Sequence, residues 1–165
     1  PASTCRTGLS RAMGRPRFRY RVRKLEPGTP HEVDGVTVHS IKQNHSGDSF
    51  GYRFEKDEKS VVYSTDCEHK FEDINADYPF VDFLRGADLV IFDAMYSLAD
   101  SLSIKEDWGH SSNVVGVELA LMGDVHHLVF FHHEHLNDDE RLDQIVREAR
   151  RIDEIRPRER NPPEF

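Results

Sequence analysis

Two short apolar runs without alternation, Leu89-Val90-Ile91-Phe92 and Leu128-Val129-Phe130-Phe131, flank a segment of helical pattern. Runs of that length suit strands covered on both faces, as in parallel sheets. Between them Ser111 or Ser112 can cap a helix carrying Val114, Val115, Val117, Leu119 and Leu121, with Gly123 at its end. Strand, helix and strand at this spacing predict a right-handed crossover to a parallel neighbour, which places the chain in the α/β class. The functional loops of such folds gather at the C-terminal ends of the strands. Here the first run ends at Asp93 and the second at His132-His133-Glu134-His135.

A hairpin precedes this unit. FGYRFE (50–55) and SVVYST (60–65) read as strands joined by the charged turn Lys56-Asp57-Glu58-Lys59. Antiparallel pairing brings the chain entering at Phe50 beside the chain leaving at Thr65, so His45 and Asp66 are expected at the same end of the sheet. HEVDGVTVHSI supplies strand structure around the turn-forming pair Asp34-Gly35, with Val36, Val38 and Ser40 on one face. In RFRYRVRK, Phe18, Tyr20 and Val22 alternate with arginines, which predicts an edge strand with either solvated cations or a stripe for an acidic ligand or RNA. Leu142, Ile145, Val146, Ala149 and Ile152 keep helical spacing and predict a covering helix, and the prolines of RPRERNPPEF end it.

Length allows one domain with a real core. Residues 1–16 read as an added or flexible leader, 17–155 as the domain and 156–165 as a tail. Because the chain opens on Pro1 rather than Met, a fragment or processed product is expected. The net charge of −8 is unevenly placed: residues 1–25 carry seven Arg and one Lys with no acid, leaving the rest strongly acidic and a poor surface for duplex nucleic acid. Two cysteines make no disulfide framework, and no apolar run approaches the roughly 20 residues of a membrane span. A cytoplasmic protein with no membrane partner is expected.

Polar residues close each strand-like segment: His45 before the hairpin, Asp66 after it, Asp93 and His132 after the two apolar runs, and His110 just before the crossover helix. Were the sheet to gather these ends, imidazole nitrogens and carboxylate oxygens could hold a divalent ion, with a substrate anion approaching the helix N-terminus. Each has an ordinary alternative. Asp66 either bridges metals or makes an Asx turn, and His45 is either a ligand or an organiser of its turn. His132 is the ligand candidate of its cluster, with His133 and His135 accessory. His110 either orients a phosphate and moves a proton or merely flanks a cap, and Asp93 either orients a histidine or closes a strand. Cys67 is either a thiolate or, more in keeping with a free buried cysteine, a small apolar residue. His31, His39, His69, His126 and His127 read as structural or surface residues.

Taken together, NHSGDSFGYRFE, SVVYSTDCEH, GADLVIFDAMY, WGHSSNVVGVELA and HLVFFHHEHLNDDE resemble the later part of the metallo-β-lactamase fold superfamily, and within it the phosphodiesterase-like and transfer-RNA-processing-nuclease-like branches. The resemblance runs from about Gly35 to Asp139. It implies a four-layer αβ/βα sandwich and a metal-dependent hydrolase, with His45, Asp66 and His132 as metal ligands, Asp66 as the bridge, His110 near the scissile phosphate and Asp93 in support. Zn²⁺, or else Mn²⁺ or Fe²⁺, is the implied cofactor, and RNA or a small phosphodiester the implied substrate. The early HxHxDH motif of that family is absent from this sequence. Only the later part of the fold is therefore expected here, completed by a missing N-terminal segment or by self-association. The alternative is a noncatalytic binding or assembly domain derived from the same fold.

Overall fold

A computed structural model describes residues 22–97 and 107–155. Six strands form one sheet in chain order: β1 (His31–Val33), β2 (Val36–Gln43), β3 (Ser49–Lys56), β4 (Lys59–Ser64), β5 (Leu89–Asp93) and β6 (Leu128–Phe131). β1 to β4 pair antiparallel, and β4, β5 and β6 pair parallel. The helices are α1 (Pro79–Leu84), α2 (Asn113–Met122) and α3 (Asp139–Ile155), and a single 3₁₀ turn covers Phe71–Asp73.

Turn chemistry sets the antiparallel half. Asp34 and Gly35 both take positive φ, 52° and 80°, the left-handed pair that a two-residue hairpin requires. The expected strand around this pair is thus two strands, with Val33 opposite Val36. Asp57 and Glu58 make the same turn at φ 49° and 61°, and Lys56 faces Lys59. Those turns fix the register, and register fixes faces.

Val62, Val90 and Phe92 are buried on one face against Phe80, Val81 and Leu84 of α1 and Val115 and Leu119 of α2. At roughly 1.5–3 kcal/mol for each large apolar side chain removed from water, this cluster is the main stabilising term. Gly116 lets α2 approach closely, since a Cβ there would lie 2.8 Å from the Phe92 ring. The α2 boundaries follow the sequence: the Ser112 side chain accepts from the Val115 N–H, and Gly123 closes the helix. α3 packs on α2, burying Ile145 and Ala149.

The opposite face is open. Tyr63, Val129, Phe131 and Phe54 alternate with the buried positions and are 39–50% exposed. The four-layer expectation is therefore met only in part, because the described residues supply one sheet with helices on one face. Of the expected strand in RFRYRVRK, Phe18 and Tyr20 lie outside the described residues, whereas Val22–Lys24 form no strand and Val22 is 95% exposed. The leader, the tail and residues 98–106 also lie outside the described residues. α1 has no counterpart in the sequence reading, because Pro79–Leu84 is too short for periodicity to show. No helix among the described residues is long and apolar enough to cross a membrane.

Candidate metal centre

The parallel strands end side by side, and their last residues carry donors. Asp93 closes β5, His132 follows β6, Asp66 follows β4, and His45 sits in the β2–β3 connection. The hairpin geometry inferred for His45 and Asp66 holds, as the Ser49 hydroxyl reaches the Thr65 carbonyl at 3.4 Å and the Glu68 N–H donates to the Asn44 carbonyl at 2.8 Å.

Donor atoms of His45, Asp66 and His110 lie within 4.8 Å of one another, as do those of Asp93, His110 and His132. His132 Nδ1 stands 3.4 Å from Asp66 Oδ1, and the His110 ring centroid is 5.2 Å from that of His45 and 4.7 Å from that of His132. Thus the five candidates named from sequence form one constellation with His110 in both groups. Asp66 and His132 share φ 55°, a left-handed backbone that costs a non-glycine residue on the order of 1 kcal/mol and turns both side chains at the strand ends.

The rings are held by their Nδ1 atoms. His110 Nδ1 lies 2.7 Å from Oδ2 of the fully buried Asp93, and His45 Nδ1 accepts from the Gly47 N–H at 3.2 Å. His110 keeps Nε2 for another partner, the way a carboxylate orients an imidazole that binds a cation. His45, accepting at Nδ1, carries its proton on Nε2 when neutral, so it offers a cation its Nδ1 lone pair once the Gly47 N–H gives way. Asp93 does both things considered for it, since Oδ1 also accepts from the Met95 N–H and Oδ2 from the Cys67 N–H. Two oriented imidazoles and a partly exposed carboxylate make a nitrogen and oxygen donor set that suits Zn²⁺ or a similar divalent ion. The residues present fit such a cation.

One expected feature is corrected. Ser111, Ser112 and Asn113 at the start of α2 are at most 1% exposed, and the Ser111 hydroxyl is committed to the Cys67 carbonyl at 2.7 Å. An anion cannot approach that N-terminus without displacing this packing.

The segment after Asp66 builds the site's walls. Cys67 is buried, and desolvation pushes its thiol up to about 11, so it stays protonated and behaves as a small apolar residue. His69 is 4% exposed, lies between Phe80 and Phe92, and pairs Nδ1 with the Tyr78 hydroxyl at 2.8 Å. Burial lowers its imidazole to about 3, which makes it a neutral core histidine. Glu68, 6% exposed, accepts from the Asp107 N–H at 2.8 Å and the Gly109 N–H at 3.1 Å. Sequence reasoning missed Glu68 and Ser111 as organisers. The available signal was a run of polar residues directly after a buried strand, where solvent is scarce and each polar group needs a partner.

Gly109 is required by position. Its φ is 87°, and a Cβ there would fall 2.7 Å from His45 Cδ2. The remaining histidines stand apart from this constellation: His31 accepts from the Glu26 N–H, His39 pairs with Glu55, His126 and His127 meet Asp88, and His135 meets Glu134.

A family model described as a beta-lactamase superfamily domain matches residues 2–133. The chain belongs to the metallo-β-lactamase superfamily. Among solved structures, the metallo-β-lactamase fold protein YhfI from Bacillus subtilis is similar at a TM-score of 0.62 and 18% identity, covering 76% of this chain and 48% of that one. Human tRNase Z, short form, is similar at 0.54 and 23%, covering 64% and 38%. A diphosphatase from the PhnP family is similar at 0.50 and 26%, covering 70% and 39%. This chain thus spans half or less of the length of each. The search of curated proteins gives no match.

Proposed function

We propose that this chain carries the later half of a metal-dependent phosphodiester hydrolase. The observation that carries the reading is the convergence of His45, Asp66 and His110 donor atoms within 4.8 Å, beside His132, at the ends of parallel strands. When bound, a divalent cation supplies Lewis-acid polarisation of a phosphoryl oxygen. His45, Asp66 and His132 are its proposed ligands, with Zn²⁺ favoured by the imidazoles and Mn²⁺ or Fe²⁺ as rivals. His110, its Nδ1 fixed on Asp93, presents Nε2 to the departing oxygen and orients or protonates it. The substrate class draws support from the names of two structural neighbours, a tRNase and a diphosphatase. RNA and small phosphodiesters are both substrates within that class.

The ligands that HxHxDH would provide come, in this reading, from a further segment or a second copy docking on the open face of the sheet. Metal analysis and hydrolysis of bis(p-nitrophenyl) phosphate, on this chain and on its longer parent, test the proposal. The expected result is saturable Zn²⁺ binding by this chain and metal-dependent turnover by the parent. No binding and no turnover with Zn²⁺ or Mn²⁺ in either sample overturns it.

A noncatalytic assembly domain is the second reading, favoured by the exposed Phe54, Tyr63, Val129 and Phe131. Apolar patches of this kind mark contact surfaces. Strict monomer behaviour in light scattering, together with no saturable binding to RNA or an acidic partner, would remove its basis.

A further inference from the structure

Glu68 touches three of the loops from which the metal centre is built. Its backbone N–H donates to the carbonyl of Asn44, the residue before His45. It follows Asp66 by two positions. Its two carboxylate oxygens are divided, Oε1 accepting from the Asp107 N–H at 2.8 Å and Oε2 from the Gly109 N–H at 3.1 Å, immediately before His110. The carboxylate is buried, and a buried carboxylate is retained where hydrogen bonds replace its water. Lys70 adds an ion pair to the Asp107 side chain at 2.8 Å.

We infer that Glu68 is a positioning residue that sets His110 against His45 and Asp66. The inference rests on the phosphodiester hydrolase reading for its kinetic consequence but not for its structural one. The loop needs such a tie for a physical reason. Gly109 at φ 87° brings its backbone against the His45 ring, and a small outward shift of residues 107–109 would open that contact and carry His110 away from Asp66. Asp93 holds the far side of the His110 ring, so Glu68 and Asp93 fix the residue from its backbone and its imidazole respectively. Side chains that orient reacting groups act in this way, and a displacement of about 1 Å costs about 100-fold in rate.

The chain contains one tryptophan, Trp108, which lies between the two amides that Glu68 holds. It is 59% exposed, so its fluorescence reports the order of this loop. Glu68→Ala and the near-isosteric Glu68→Gln would be compared with the parent sequence for Trp108 anisotropy, Zn²⁺ affinity, kcat and KM on bis(p-nitrophenyl) phosphate, and melting temperature. Glu68→Gln keeps one acceptor oxygen, so it is expected to fold and to retain part of the order. Both variants are expected to lower Trp108 anisotropy, with Glu68→Ala the lower. In a preparation that turns over, kcat falls by about 100-fold in Glu68→Ala while KM changes far less. Unchanged anisotropy and kcat in a folded Glu68→Gln and Glu68→Ala would refute the role. Should neither the unsubstituted chain nor its longer parent bind Zn²⁺ or Mn²⁺ or turn over with either, the hydrolase reading fails, and the anisotropy still decides whether Glu68 holds the loop.

Discussion

The two ends of the parallel strands use the same residue types and arrive at opposite chemistry. At the N-terminal end, Asp88 precedes β5, Lys59 opens β4, and His126 lies before β6. Asp88 meets Lys59 Nζ at 2.8 Å and the Ser60 N–H at 2.9 Å, and the Lys59 hydrogen bond brings its carboxyl down to about 2. At the C-terminal end, Asp66 and Asp93 meet imidazoles. An ammonium carries a fixed positive charge and satisfies its carboxylate, whereas a neutral imidazole supplies a donor at one nitrogen and an acceptor at the other. The first arrangement is complete in itself. The second brings imidazole nitrogens and carboxylate oxygens within 4.8 Å of one another, a donor set that suits a divalent cation.

The sharpest way to break this contrast is to exchange the acids. Asp66→Asn is expected to weaken Zn²⁺ binding by more than about 100-fold, the upper range for removing a mere supporting partner, when followed by titration calorimetry. Asp88→Asn should leave that affinity unchanged. Equal losses in both variants would show that the two ends differ less than their partners suggest.

Next in size is Gly109→Ala. It demands φ 87° of a residue with a Cβ and drives that atom into His45, so a melting temperature lowered by the equivalent of about 1–3 kcal/mol is expected, with weaker Zn²⁺ binding. A variant that keeps both values would dissociate the His45 contact from the centre.

A pH effect separates core from site. His69 titrates near 6.5 when unfolded and is held to about 3 by burial, so the unfolded chain binds the extra proton between those values. Its contribution is fully present above about pH 6.5 and is lost as pH falls towards 3, by an amount on the order of a few kcal/mol. Denaturant midpoints measured across that window should decline, and His69→Phe should flatten the decline. For Asp88 the window is lower: its stabilisation is present above 3.8 and disappears as pH falls through about 2. That is the smallest of these effects, and a Lys59→Met variant with the same acid limb as the parent sequence would refute it.

Much of the scaffold was legible because its signals are local. The apolar runs 89–92 and 128–131, Ser112 and Gly123 at the helix ends, and the Lys56–Lys59 turn each state their structure within a few residues, and β5, α2, β6 and the hairpin stand there. The convergence of His45 with Asp66 followed from pairing alone. What stayed hidden is non-local: Glu68 reaching 41 positions to Gly109, or Ser111 reaching 44 to Cys67, leaves no period in the sequence. That Tyr63 and Phe131 stand on an open face was equally unreadable, since alternation reports that a residue is apolar and not what meets it.

Asp66, Asp93 and His132 all stand where adjacent strands stop, and neighbouring strands in any sheet lie about 4.8 Å apart. β4 and β6 flank β5, so two such spacings separate their ends, and the left-handed turns at Asp66 and His132 accompany an Oδ1 to Nδ1 approach of 3.4 Å. Spacing of this origin is indifferent to which apolar side chains fill the layer beneath. Apolar substitutions at Val62 or Val90 that keep side-chain volume would leave it in place, whereas a change in strand register would reset it.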